Sequence, residues 1–155
     1  GLESNGVSAI LSDRDNNLWF GTRGRGLVRY TGDRFIHFTE KDSLNSRNIM
    51  TVLVDPEDNI WYGSMTGGLG KLEPIPGTGT YRSIKFPEIK RVVSILRDSQ
   101  GRIWAGTHGL GAFCYDGKKF TAYNREQKQL PDNRVFTMHQ DRKGKIWIGT
   151  ASGGA

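Results

Sequence analysis

Asp98-Ser-Gln-Gly-Arg-Ile-Trp-Ala-Gly-Thr107 is one copy of a ten-residue pattern that the sequence contains four times. The other copies run from Asp13 to Thr22, from Asp55 to Ser64 and from Asp141 to Thr150. In every copy an aspartate stands six residues before a tryptophan, a glycine stands two residues after it, and a threonine or serine follows. The tryptophans are spaced by 42, 43 and 43 residues, which indicates an array of structural repeats.

Each repeat contains four short β-strand patterns separated by turn residues, and no helix is predicted. The first strand is apolar on both faces, which predicts an innermost strand buried on both sides. These first strands are residues 7–12, 49–54, 92–97 and 135–140. Their middle residue is always small, as crowding near a shared axis would require; it is Ala9, Thr51, Ser94 and Thr137. The second strand holds the tryptophan, and the turn before it has the residues of a two-residue hairpin.

Four strands in a period of about 42 residues predict an all-β fold, a β-propeller with one blade per repeat. The blade repeats are about residues 7–48, 49–91, 92–134 and 135–155, the last one incomplete. The sequence therefore predicts about three and a half four-stranded blades of a larger, seven-bladed propeller. We expect each tryptophan to be buried between neighbouring blades, and a Pro/Gly insertion at residues 74–80. The unpaired edge of the Trp147 strand favours self-association, for example as a homodimer.

The repeated residues resemble the two-component regulator propeller repeat, whose pattern is Asp-x-x-Gly-x-Leu-Trp-x-Gly-Thr followed by Gly-Leu and a terminal Tyr. The resemblance covers nearly the whole chain, with departures such as Asn16 and Asp58 at the turn glycine and Ser64 at the threonine. It implies an extracytoplasmic ligand-binding sensor module in the periplasmic part of a bacterial inner-membrane protein. It also implies an oligosaccharide or similar small molecule as ligand. The remaining blades and a histidine kinase or diguanylate cyclase region of the same polypeptide are the further partners that it implies.

Composition and motifs argue against several other classes of function. The net charge is +6, but the basic residues are spread through all repeats, so no nucleic-acid partner is predicted. The pattern Asp13-x-Asp15-x-Asn17 lacks the later ligands of a calcium loop, and its aspartate is expected to cap a turn. No catalytic residue, metal ligand or cofactor is predicted, and Cys114 is expected at a partly exposed edge. A protein-interaction scaffold and a propeller lyase or glycosidase remain as alternatives.

The ligand site is expected on the face where the loops between the second and third strands meet the connections between repeats, because variable loops on a rigid scaffold usually carry function. Guanidinium groups there suit carboxylates or sulfates, which favours an acidic oligosaccharide. A solvated basic rim is the alternative. The predicted loop residues are Arg23, Arg25, Met65 and His108. The predicted residues just before the first strands are Arg47, Asn48, Lys90, Arg91, Asn133 and Arg134.

Overall fold

The computed structural model describes residues 1–2 and 6–154, which contain four antiparallel sheets with their strands in chain order. The first sheet consists of β1 (Val7–Ser12), β2 (Leu18–Thr22), β3 (Leu27–Tyr30) and β4 (Phe35–Phe38). The second consists of β5 (Thr51–Val54), β6 (Ile60–Ser64), β7 (Gly68–Ile75) and β8 (Thr80–Phe86). The third consists of β9 (Val92–Arg97), β10 (Ile103–Thr107), β11 (Ala112–Tyr115) and β12 (Phe120–Tyr123). The last pairs β13 (Val135–Gln140) with β14 (Ile146–Thr150), which confirms the predicted all-β blades.

The sheets stack side by side through their first strands. β1 contacts β5, β5 contacts β9, and β9 contacts β13, which confirms that the first strand is the shared inner element. The prediction of burial on both sides is wrong for the two ends of this stack, since Ile10 is 62% exposed and Phe136 is 53% exposed. β5 and β9 are flanked by sheets on both sides and are more evenly covered. A first strand is therefore covered only where a neighbouring sheet packs on it.

The hydrophobic core is divided between successive sheets. One cluster joins Trp19 and Leu27 of the first sheet to Ile60 and Tyr62 of the second. The next cluster joins Trp61 of the second sheet to the strands of the third. Trp19 and Trp61 each stack on an aromatic ring of their own sheet and contact one from the next sheet. The ring centroids of Trp19 and Tyr81, for example, lie 5.4 Å apart. The sheets thus behave as propeller blades, whose stability comes from the surfaces between them.

The tryptophan column is not uniformly buried. Trp19, Trp61 and Trp104 are at most 5% exposed, as predicted, but Trp147 is 50% exposed. The sheet of Trp147 has two strands among the described residues, so no third or fourth strand of that sheet or of a following one covers the ring. The prediction was wrong at this position because burial depends on the neighbours and not on the repeat alone.

The glycine two residues after the tryptophan leaves room for the following blade in the first three sheets. A Cβ atom on Gly106 would lie 2.7 Å from Cγ1 of Val135 in the next sheet, closer than real side chains approach. The small middle residues of the first strands pair with these glycines, for example Thr137 with Gly149. These pairs lie within one sheet, and the expected crowding near a shared axis stays a prediction.

The turns between the first and second strands differ from the predicted two-residue hairpins. The Asp13 N–H donates to the Asn17 carbonyl at 3.0 Å, and the Asn16 N–H donates to the Asp13 carbonyl at 3.1 Å. This is a three-residue loop with a left-handed residue at its third position, where Asn16 has a φ of 61°. Asp58, Gly101 and Gly144 repeat that conformation, so the expected positive φ is confirmed although the loop is longer.

Two further expectations need correction, and one is confirmed. The prediction of no helix fails at Glu40–Asp42, a single 3-10 turn that Thr39 caps. The predicted insertion at residues 74–80 is present as a longer hairpin of the second sheet, in which β7 ends at Ile75 and pairs there with Thr80 of β8. Cys114 is 4% exposed and not at an open edge, since it pairs with Trp104 inside the third sheet.

These differences in burial predict different costs for removing two tryptophans. Trp61→Ala should lower the free energy of unfolding by about 3–5 kcal/mol, because it empties a packed site between blades. Trp147→Ala should cost about 1 kcal/mol or less, as expected for a half-exposed side chain. Both variants lose the same hydrogen bond to an aspartate, so Trp147→Ala is the matched control. Denaturant titration measures both, and equal losses would contradict the blade packing described above.

Candidate ligand site on the loop face

One face of the blades gathers the loops between second and third strands with the connections between sheets. The backbone N–H groups of Gly24 and Gly26 both donate to the Arg47 carbonyl, at 3.0 and 2.8 Å. In the third sheet, Gly109 and Gly111 donate in the same way to the Asn133 carbonyl. We call this surface the loop face. The repeated backbone bonds confirm that the predicted loops and connections emerge together.

The hydroxyl residue of each repeat shapes its loop. The Thr22 hydroxyl donates to the Gly26 carbonyl at 2.9 Å and accepts from the Arg25 N–H. The Thr107 hydroxyl makes the equivalent bonds to Gly111 and Leu110. The sequence shows this column of hydroxyl residues but not its role, which is to hold the loop backbone and leave the side chains outside free to vary.

The first cluster of predicted residues lies between the first and second sheets. Arg23 forms a backbone bridge with Asn48, and Arg25 and Arg47 line a cavity of about 220 Å³. Arg47 Nε lies 2.6 Å from a carboxylate oxygen of Glu40. This ion pair was not expected from the sequence, and it reduces the positive charge that Arg47 offers to a ligand.

The second cluster lies between the second, third and fourth sheets. The His108 N–H donates to the Arg91 carbonyl at 2.9 Å, and His108 forms a backbone bridge with Arg134. Lys90, Arg91 and His108 line a cavity of about 330 Å³. Arg91 has a φ of 54°, the left-handed region that residues other than glycine seldom adopt.

Carboxylates hold the last two predicted residues. The Arg134 guanidinium donates to both oxygens of Asp132, at 3.1 Å from Nε and 2.6 Å from Nη2. Hydrogen bonds from Arg134 and then from the Ser152 hydroxyl hold the pKa of the Asp132 carboxyl far below its usual value. The Asn133 amide donates to Glu126. These side chains support the loop face more than they offer free groups to a ligand.

The structure thus divides the predicted site into two clusters and adds acidic partners to it. Met65 lies in the loop between β6 and β7 and is 36% exposed. The missed residues are Glu40, Glu126 and Asp132, which lie outside the repeated columns of the sequence. Only the adjacency of Asp132 to Arg134 could have indicated a pair. The assignment of the loop face to a ligand stays a prediction.

The opposite face carries the tight turns and their aspartates. In the third sheet the Asp98 carboxylate accepts hydrogen bonds from two backbone N–H groups, the Trp104 indole and Arg102. Burial by itself would raise the pKa of Asp98, but the hydrogen bonds from Trp104 and Arg102 keep it below the usual value. Asp13 uses its carboxylate in the same way, which confirms its predicted role as a turn cap.

A cavity of about 330 Å³ also opens on this turn face, between the second and third sheets. Two of its three cations have partners, because Lys71 pairs with Glu73 and Arg102 pairs with Asp98, whereas Arg97 forms no ion pair among the described residues. Within residues 1–2 and 6–154, no group of three or more His, Cys, Asp or Glu side chains is placed to hold a metal ion. The same residues include no helix that is long and apolar enough to span a membrane.

Sequence comparison supports the repeat assignment. Residues 1–24, 88–109 and 129–152 match the family model of the two-component regulator propeller. Each matched stretch contains the first two strands of a sheet with the loop or connection beside them. None of the curated proteins compared with the chain has a matching sequence.

Solved structures share the fold. One is the extracellular domain of BT4673 from B. thetaiotaomicron, a protein described as a putative hybrid two-component system. Its sequence is 21% identical and its TM-score is 0.81; the match covers 99% of this chain and 20% of the BT4673 chain. The extracellular domain of BT3049 from the same organism is 20% identical with a TM-score of 0.61, and the match covers 96% of this chain and 27% of the BT3049 chain. Virginiamycin B lyase from Staphylococcus aureus is 17% identical with a TM-score of 0.66, and the match covers 95% of this chain and 53% of the lyase chain. The chain therefore spans about a fifth of the BT4673 domain, and these likenesses establish the partial propeller fold.

The buried turn carboxylates predict a sensitivity to acid. Because the pKa of Asp98 is lowered in the folded chain, its contribution to stability is present above the unfolded pKa of about 3.9 and is lost as the pH falls below that value. Asp98→Asn should be less stable than the parent at neutral pH by about 1–3 kcal/mol and should lose less stability between about pH 5 and 2. Glu57→Gln, at an exposed carboxylate without an ion pair, is the control. Parallel pH profiles for Asp98→Asn and the parent would refute this role of Asp98.

Proposed function

We propose that the chain, three stretches of which match the two-component regulator propeller model, is part of the extracytoplasmic sensor module of a bacterial two-component system. The match of three stretches to that family is the observation that carries the proposal. The fold shared with the extracellular domains of BT4673 and BT3049 supports it. In this proposal the module lies in the periplasm, and binding of its ligand changes the output of a histidine kinase in the same polypeptide.

The proposed ligand is an oligosaccharide or similar small molecule with an acidic group. The support is the concentration of cationic side chains on the loop face, where Arg23, Arg25, Arg47, Lys90, Arg91 and Arg134 are all exposed. Planar guanidinium groups bind carboxylates and sulfates through two parallel hydrogen bonds. The backbone clamps beneath these side chains would present them without a large change in the scaffold.

Further blades of the same polypeptide are the proposed partners of the open end of the stack. Trp104, Tyr123 and Trp147 line an apolar groove of about 310 Å³ beside β14. In the first three sheets the equivalent surface is covered by third and fourth strands. Where such strands are not supplied by the polypeptide, a second copy pairing along β14 is the competing occupant, because unpaired strand edges attract partners.

A lyase is the second candidate, and the fold shared with virginiamycin B lyase favours it. His37 lies in β4, His108 lies on the loop face, and His139 lies in β13. In the part of the chain that the structure describes, no hydrogen bond joins any of the three side chains to a serine or cysteine. A sensor without catalysis by this chain therefore agrees better with the arrangement of its side chains.

The test uses the full-length polypeptide that contains this chain, expressed in a bacterial host. Protease added to the periplasm should cleave this region, and a panel of acidic and neutral oligosaccharides should include one that changes kinase autophosphorylation. Trp61→Ala, which disrupts the blades, should abolish that response while the isolated kinase region keeps its basal activity. A cytoplasmic location of the chain, or autophosphorylation that no oligosaccharide changes, would overturn the proposal.

A further inference from the structure

The cavity of about 330 Å³ lined by Lys90, Arg91, His108, Gly109 and Leu110 differs from the rest of the loop face. It forms where the connection from β8 to β9 meets the loop between β10 and β11. The hydrogen bond from the His108 N–H to the Arg91 carbonyl fixes the two segments against each other. Its volume lies at the lower end of the range of about 300–1,000 Å³ that is typical of small-molecule pockets.

The cations of this cavity are not neutralised. Among the described residues, neither Lys90 nor Arg91 forms an ion pair, whereas Arg47 pairs with Glu40 and Arg134 pairs with Asp132. Glu88 lies two residues before Lys90 in the sequence but forms no ion pair with either cation. Lys90 and Arg91 therefore offer an anionic group positive charge that Arg47 and Arg134 share with carboxylates.

The backbone conformation of Arg91 also distinguishes this cavity from the rest of the loop face. Asn48 and Arg134 occupy the equivalent position before the other first strands, and neither has a positive φ. The other non-glycine residues with a positive φ lie at other positions of the repeat. A side chain held in the left-handed region is unfavourable unless the surroundings impose it, and such positions concentrate at ligand clamps. The Arg91 carbonyl accepts a hydrogen bond from the His108 N–H at 2.9 Å, so this left-handed residue lies directly against the second loop of the cavity.

Apolar groups lie beside the cations. Leu110 is 41% exposed, and the His108 ring makes an edge contact with the ring of Phe136, with 5.8 Å between their centroids. Phe136 itself is 53% exposed. A cavity with cations on one side and apolar surface on the other suits a small ring that carries one negative group and presents C–H bonds on a face.

We propose that the cavity lined by Lys90, Arg91 and His108 binds the carboxylate or sulfate group of an acidic sugar. The inference rests on the proposed sensor function and assigns its ligand contact to this one place on the loop face. Arg91 would hold the anion through two parallel N–H groups, and Lys90 would add a point charge. His108 and Leu110 would contact the ring.

The experiment measures binding to the full-length protein by calorimetry, with glucuronate, glucose 6-sulfate and uncharged glucose as probes. The two charged probes should bind and glucose should not; comparing the carboxylate with the sulfate tells which anion the site prefers. The double variant Lys90→Ala/Arg91→Ala should weaken anion binding by about tenfold or more, as expected for the loss of charge-assisted hydrogen bonds. Lys118→Ala, which removes an exposed cation of the turn between β11 and β12 outside the loop face, is the control and should change it by less than about twofold.

Two further results separate this inference from the proposed function. Anion binding that the double variant abolishes, in a protein whose kinase does not respond to any sugar, supports the cavity and overturns the sensor. A kinase that responds to an acidic oligosaccharide equally in the double variant and the parent, with equal melting temperatures, overturns the cavity and leaves the sensor standing. No binding of either charged probe would also overturn the cavity.

Discussion

The hydrogen bond from a tryptophan indole to the aspartate six residues earlier is the interaction on which each blade depends. It recurs in all four sheets, at 2.8 Å for Trp19, Trp61 and Trp104 and at 3.0 Å for Trp147. The same carboxylate accepts the backbone N–H groups of its turn, as Asp55 does from Glu57 and Asn59. One side chain therefore closes the hairpin and orients the ring that packs on the next blade. This dual role explains why aspartate, tryptophan and glycine keep their spacing while the other residues vary.

A cation accompanies this pair in the three complete sheets, although different positions supply it. Arg29 lies over Trp19 and Lys71 lies over Trp61, both from the third strand of the sheet. In the third sheet the equivalent residue is Cys114, and burial raises the pKa of its thiol. The cation there is Arg102, which stacks on Trp104 and donates to Asp98 from the turn. Each of these three tryptophan rings therefore keeps a neighbouring cation, which comes from the third strand in the first two sheets and from the turn in the third.

The fold could be predicted from the sequence because its determinants repeat. The period, the strand order and the burial of three tryptophans follow from columns that recur every 42 or 43 residues. Trp147 was wrongly predicted because its burial depends on strands of other sheets. For the loop face, the sequence predicted which loops and connections lie together but not the contacts that their side chains make. The pairing of Arg47 with Glu40, the neutralisation of Arg134 and the left-handed backbone of Arg91 arise from single, non-repeated contacts, which no periodic pattern reveals.

The repeated columns build the packed surfaces between blades, and the loop face carries the side chains that differ from one repeat to the next. Hydrogen exchange of the four tryptophan indole N–H groups, followed by NMR on this chain, tests the stacked-blade account most directly. The account predicts slow exchange for Trp19, Trp61 and Trp104, which are buried between blades, and fast exchange for Trp147, whose signal Trp147→Phe identifies. Four indole groups that exchange at one common rate would contradict it.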